Sequence, residues 1–143
     1  MAVVEKTVLI ERTPAQMFDL VDRVEDYPQF LPWCGGTELH ERTDTSTVAT
    51  LHINYHGLKS HFSTSNEKEA PHWMSIRLRD GPLKQLDGSW RFIPLGGVAC
   101  KIEFKLHYEF SSKLLEKALG PVFNHIANTF VESFVKRANQ RYG

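Results

Sequence analysis

The sequence predicts an α+β fold in which one long C-terminal helix packs against a curved antiparallel sheet. Two patterns predict it. Residues 101 to 110 alternate strictly between apolar and polar side chains, which is typical of a strand with one buried face. From Ser112 onward, apolar side chains instead recur every three or four positions, which is typical of a helix with one buried stripe. A sheet that is apolar on one face needs a cover, and this helix is long enough to supply it.

The chain opens with a strand and a short helix. Residues 2 to 12 are rich in β-branched side chains and predict the strand. Thr13 suits the N-cap of the helix, and Pro14 suits its first position. We expect the helix to end before Pro28. The apolar positions at helical spacing are Met17, Phe18, Leu20, Val21 and Val24.

The next segment, residues 27 to 36, reads YPQFLPWCGG and contains two prolines, two glycines and three aromatic residues. This composition excludes a long helix or a strand. Its apolar side chains have two interpretations. They form a rigid aromatic lip that meets a membrane interface or gates a cavity, or they staple the short helix onto the sheet. The residues concerned are Tyr27, Phe30, Leu31 and Trp33.

Six further strands are predicted, separated by turn signals such as His56-Gly57 and Gly96-Gly97. Their short links favour antiparallel neighbours. We expect one face of the sheet to be buried and the other to be hydrated. The predicted ranges are 36–43, 47–55, 58–69, 73–80, 85–94 and 98–111.

The terminal helix carries its apolar stripe over roughly 30 residues, which would extend about 45 Å. Pro121 removes one backbone hydrogen bond, so Gly120-Pro121 is predicted to kink the helix or to split it in two. This break is either a local interruption of the helix without a functional role or a hinge at the mouth of a cavity. The stripe consists of Leu115, Leu119, Phe123, Ile126, Phe130, Phe134 and Ala138.

Composition limits the functional classes. The 143 residues include 17 Lys and Arg and 17 Asp and Glu, so no net field draws polyanions from a distance, and we expect no DNA partner. Cys34 and Cys100 lie in no metal or redox motif. We therefore expect free thiols in a reducing cytoplasm. No signal peptide is recognised and no apolar stretch is long enough to span a bilayer, so any contact with the inner membrane would be peripheral.

Catalytic and metal sites are not expected. The GxSxG, HExxH, GxGxxG and P-loop patterns are absent, and the inward positions carry almost no carboxylate or histidine. Tyr108 and His107 stay open as groups for a cyclase that works mainly by shape. A metal site at His52, His56 and His61 would need a carboxylate or cysteine at ligand spacing, which the strand pattern does not show. We expect these histidines to be hydrated or hydrogen-bonded.

A helix that crosses a strongly curved sheet leaves interior space, and such folds use that space for apolar ligands. The inward side chains therefore predict a ligand cavity, with an ordinary packed core as the alternative. The residues assigned to the cavity are Met74, Leu78, Trp90, Phe92, Phe104, Leu106, Tyr108, Phe123, Ile126 and Phe130.

Three stretches carry a resemblance to a known family: YPQFLPWC at 27–34, DGPLKQLDGSWRF at 80–92 and the run from Cys100 to Phe123. They resemble the coenzyme Q-binding START-domain family, whose members are also described as polyketide cyclases, and most closely its bacterial ribosome-association toxins. The resemblance covers residues 6 to 137 and implies the helix-grip (START-like) fold in a single domain, 1–143.

The resemblance implies two functions. The first is a carrier or chaperone that holds ubiquinone or a related isoprenoid lipid in its interior and supports respiration. The second is a regulator that binds the large ribosomal subunit and blocks subunit joining. For the second function, the candidate contacts with ribosomal phosphates are Lys136, Arg137 and Arg141. Alternatively, these cations complement the helix dipole within a hydrated, mixed-charge surface.

Overall fold

The structure is a computed structural model that describes residues 2–143. It contains seven strands and two α-helices, with a 3-10 helix at Val24–Gln29 between α1 and β2. Strands and helices are, in chain order, β1 (Ala2–Ile10), α1 (Pro14–Asp22), β2 (Cys34–Arg42), β3 (Ser46–Tyr55), β4 (Leu58–Glu69), β5 (Trp73–Asp80), β6 (Leu83–Leu95), β7 (Ala99–Phe110) and α2 (Lys113–Tyr142).

The seven strands form one antiparallel sheet in the order β1-β7-β6-β5-β4-β3-β2. Consecutive strands from β2 to β7 are neighbours, as their short links predict, and β1 pairs with β7 so that Ile10 lies opposite Cys100. The curved sheet packs on α2. The predicted α+β class and helix-grip architecture are confirmed.

The start of α1 forms as predicted. The Thr13 hydroxyl accepts from the Gln16 N–H at 3.2 Å, and the Gln16 side chain accepts from the Thr13 N–H at 2.9 Å, which completes a capping box. The helix ends before Pro28 as predicted, but Val24 does not belong to it. Arg23 has a non-helical backbone (φ −84°, ψ 72°), so α1 ends at Asp22 and a separate 3-10 helix runs through Pro28.

Helix α2 runs without a break through Gly120 and Pro121, so the predicted split is wrong. Pro121 leaves the carbonyl of Lys117 without its helical donor. Lys117 and Pro121 are both exposed, so water reaches that carbonyl and the helix continues.

Strand boundaries differ from the prediction by at most two residues. One such shift is at β2, which starts at Cys34, so the last three residues of the proline-rich segment are extended. Gly35 permits this because a Cβ there would lie 2.9 Å from the Cβ of Asn54 on β3.

A buried ion pair holds α1 on the sheet. Lys68 of β4 is only 6% exposed, and its ammonium donates to both carboxylate oxygens of Asp22 at 2.9 and 3.0 Å. Beside it, Arg42 of β2 donates to both oxygens of Glu25 at 2.7 and 2.8 Å. This pairing lowers the pKa of Glu25 to about 2. The α1 and 3-10 segment is therefore fixed at the edge of the sheet.

Within residues 2–143, neither helix is both long enough and apolar enough to cross a membrane.

Candidate functional site

An apolar cavity lies between the middle of α2 and the inner face of the sheet. It encloses about 60 Å³. Its walls come from four residues of α2, six residues of β4 to β7, and Trp33, which precedes β2. The lining residues are Trp33, Phe62, Ile76, Leu86, Phe104, Leu106, Tyr108, Phe123, Ile126, Ala127 and Phe130.

Six of the ten residues assigned to the cavity from sequence lie at this wall, namely Phe104, Leu106, Tyr108, Phe123, Ile126 and Phe130. The structure places Met74, Trp90 and Phe92 in the packed core beside it. Trp90 separates Phe92 from the cavity, since its ring stacks on Phe92 at 5.9 Å and contacts Phe104 at 4.6 Å. Leu78 is half-buried and does not reach the wall. Ligand binding by any of these residues stays a prediction.

Four wall residues were missed by the sequence analysis: Phe62, Ile76, Leu86 and Ala127. Ile76 shares the strand parity of Met74, so alternation could have found it. Ala127 lies four positions after Phe123, so helical spacing could have found it too. Phe62 stands in a largely polar strand, and a register shift next to Leu83 obscures the parity of Leu86.

The aromatic segment before β2 packs as a staple rather than projecting as a lip. Tyr27, Leu31 and Trp33 are at most 4% exposed, and only Phe30 is half-buried. The ring of Tyr27 meets that of Phe134 on α2 at 5.3 Å. Of the four predicted lip residues, Trp33 alone lies at the cavity wall.

Two polar side chains reach the cavity wall. The Tyr108 hydroxyl donates to the side-chain oxygen of Asn124 on α2, and burial raises the pKa of this tyrosine. Trp33 is 2% exposed, and its indole N–H has no hydrogen-bond partner within residues 2–143. The wall contains no charged residue, so the space suits an uncharged molecule.

The size of the cavity limits what it holds in this conformation. A volume of about 60 Å³ corresponds to roughly two water molecules, whereas an engineered cavity that takes up benzene measures about 150 Å³. A ligand with a ring therefore requires wall side chains to move apart. The half-buried ring of Phe130 is the aromatic wall residue with most access to solvent.

An open groove of about 870 Å³ adjoins the cavity, between the first turns of α2 and the end of β7. Tyr108 contributes to both spaces. Phe110 of the groove contacts Phe123 of the cavity at 5.4 Å between ring centroids. The boundary between groove and cavity is therefore made of rings and the Tyr108–Asn124 hydrogen bond.

Of the three histidines considered for a metal site, His52 and His61 lie opposite each other on β3 and β4, and His56 lies in the turn between these strands. His52 Nε2 lies 2.8 Å from a carboxylate oxygen of Glu38 across the β2–β3 pair, a neighbour that the sequence analysis did not foresee. The His52 and His61 rings are 5.8 Å apart. Residues 2–143 contain no group of three side chains placed to hold a metal ion.

Of the catalytic candidates, Tyr108 faces the cavity, whereas strand alternation places its neighbour His107 on the opposite face of β7. Cys34 and Cys100 are free and buried, and burial raises the pKa of both thiols. No nucleophile and base therefore meet at the described cavity.

The three cations assigned to ribosome contact have different environments. Lys136 and Arg141 are exposed and join no ion pair within the described chain. Arg137 is half-buried, because its guanidinium donates to Gln29 at 2.8 Å and lies 5.3 Å from the ring centroid of Phe30. Arg137 therefore joins α2 to the 3-10 helix.

The fold and its cavity define a helix-grip domain that encloses an apolar interior. Residues 10–135 match the family described as polyketide cyclase / dehydrase and lipid transport, and the chain belongs to this family. It is 40% identical over 140 residues to the ribosome association toxin RatA of Vibrio cholerae, covering 98% of this chain and 97% of that protein.

Two further comparisons concern a sequence of lower identity and a solved structure. The chain is 28% identical to the mitochondrial coenzyme Q-binding protein COQ10 homolog B of Xenopus laevis, over 90% of this chain and 54% of that protein. The crystal structure of the Zhui aromatase/cyclase from Streptomyces sp. R1128 superimposes with a TM-score of 0.85 at 14% identity, covering 99% of this chain and 96% of that one. That likeness concerns the fold alone.

Proposed function

We propose that this protein binds an uncharged apolar molecule between α2 and the sheet, and that the molecule is ubiquinone or a related isoprenoid quinone. The observation that carries the proposal is an uncharged, largely aromatic cavity wall beneath a helix that is tied to the sheet by few polar contacts. Buried apolar area supplies the affinity, at roughly 25 cal/mol per Å² before the cost of ordering the ligand.

Membership in a lipid-transport family and the coenzyme Q-binding relative support this choice of ligand. In this proposal the protein acts as a carrier or chaperone rather than an enzyme. It receives and delivers the quinone at the cytoplasmic face of the inner membrane by peripheral contact. The absence of a charged group at the cavity wall supports binding over acid–base catalysis.

The test is to fill the cavity. Ala127→Val adds on the order of 50 Å³ of side chain to a space of about 60 Å³. Binding of decylubiquinone, followed by quenching of tryptophan fluorescence, should weaken at least tenfold. Ala118→Val is the matched control, because Ala118 is an exposed position of the same helix and carries the same cost in helix propensity. Unchanged binding in Ala127→Val would remove the cavity as the site.

A second function is favoured by the similarity to RatA, which covers nearly the whole of both chains. We propose that the protein also associates with the large ribosomal subunit and hinders subunit joining. The exposed, unpaired cations Lys136 and Arg141 support a contact with RNA phosphates on the last turns of α2. We leave Arg137 out of the proposed contact, because its guanidinium already binds Gln29 and lies over the ring of Phe30.

This second proposal predicts a steep dependence on salt, because each neutralised phosphate releases counterions. Cosedimentation with large subunits should fall as ionic strength rises, and the double reversal Lys136→Glu with Arg141→Glu should abolish it. The control reverses Lys59 and Lys105, two exposed lysines of the sheet, which gives the same net charge. Equal loss in both double variants would indicate only a general charge effect and would overturn the assigned contact.

A further inference from the structure

We propose that Trp33 selects the ligand, by donating its indole N–H to a neutral carbonyl oxygen. The ligand class is then an uncharged planar ring that carries a ketone-type oxygen. This inference rests on the proposed binding of an apolar molecule and deepens it, because it assigns the polar contact that orients the ring.

The first observation is a donor without an acceptor. Among the buried polar side-chain atoms that lack a partner within residues 2–143, Trp33 Nε1 is the one that belongs to a cavity-lining residue. Buried donors of this kind are rare in folded proteins. An indole N–H only donates, so its partner must be an acceptor.

The second observation is that Trp33 is held in place. Its backbone oxygen accepts from the Asn54 N–H at 2.8 Å, and its ring lies 6.2 Å from that of Phe130. Pro32 precedes it and restricts the backbone. Trp33 is therefore anchored at the cavity wall beside Phe130, and we assign a ligand oxygen as the acceptor of its indole N–H.

The third observation concerns charge and shape. The other polar group at the wall, the Tyr108 hydroxyl, already donates to Asn124, which leaves the indole as the available donor. A carboxylate or phosphate would enter a wall without any cation, at a large cost in desolvation. The rings of Phe62, Phe104 and Phe123 favour a flat conjugated group.

The experiment compares two neutral probes that differ by one carbonyl oxygen, 1-tetralone and tetralin. Each displaces the fluorescent dye N-phenyl-1-naphthylamine from the intact protein. Trp33→Phe should weaken the binding of 1-tetralone about tenfold relative to that of tetralin, because the donor is lost while an aromatic wall remains. Trp73→Phe is the matched control, since that indole donates to Glu69 on the outer face. It should leave the ratio of the two affinities unchanged.

The outcomes separate this inference from the proposed function. Binding of tetralin by Trp33→Phe shows that the variant folds and keeps its cavity. If Trp33→Phe weakens both probes equally, the indole is only part of the wall and the inference is overturned, while apolar binding stands. If the unaltered protein binds neither probe nor dye, both proposals fail.

Discussion

Removing a side chain from the sheet wall should convert the small cavity into one that binds benzene. Leu86 is 6% exposed and lines the cavity from β6. Leu86→Ala adds on the order of 80 Å³, which brings the total to roughly 140 Å³, close to the 150 Å³ of a dry cavity that takes up benzene. The substitution itself should lower the free energy of unfolding by about 3–5 kcal/mol.

Benzene should then restore part of that loss. At a concentration ten times its dissociation constant it stabilises the folded state by about 1.4 kcal/mol, which corresponds to a rise in Tm of roughly 3–6 °C for a chain of this size. Differential scanning calorimetry with and without benzene measures both effects. Leu20→Ala is the control, because Leu20 is 4% exposed in α1 and lies away from the cavity. Equal rescue of both variants, or no rescue of Leu86→Ala, would refute the cavity.

Three further predictions concern other contacts. Tyr108→Phe removes the hydroxyl that joins β7 to α2 at the boundary between groove and cavity. The uptake and release rates of N-phenyl-1-naphthylamine, measured by stopped-flow fluorescence, should therefore rise several-fold. Tyr55→Phe is the control, because it loses a hydroxyl contact to α2 outside both spaces and should leave these rates unchanged. Arg42 lowers the pKa of Glu25 to about 2, so this carboxylate stabilises the fold above its ordinary pKa and the stabilisation is lost as the pH falls toward 2. Glu25→Gln should flatten that part of the pH dependence of the urea midpoint, and an unchanged slope would contradict it. Both cysteines are buried with a raised thiol pKa, so a thiol reagent should modify them only at the rate of unfolding, and rapid labelling at neutral pH would contradict their burial.

Local patterns predicted most of the fold because the spacing of apolar side chains within each element indicates a helix or a strand. The strict alternation of β7 and the Thr13 cap of α1 depend on neighbours in sequence, and both form as expected. The proline-rich segment failed in part because its outcome depends on a distant residue. Asn54 of β3 approaches Gly35 so closely that β2 can include this position only because it lacks a side chain.

The candidate site was harder to predict because a strand pattern shows which face a residue occupies but not how deep it lies. Met74 and Phe104 share the inner face, yet only Phe104 reaches the cavity. The difference is set by Trp90, which fills the space between them and contacts Phe104. Similarly, the sequence around Trp33 fits both the lip and the staple interpretation, and only the tertiary packing distinguishes them.

The most direct test of the central claim is native mass spectrometry of the protein purified from a bacterial host, followed by organic extraction. We expect a copurified neutral molecule with a carbonyl-bearing ring at up to one per chain, and its loss from Ala127→Val but not from Ala118→Val. Protein that is empty, and that stays empty after incubation with decylubiquinone, would contradict ligand binding in the cavity.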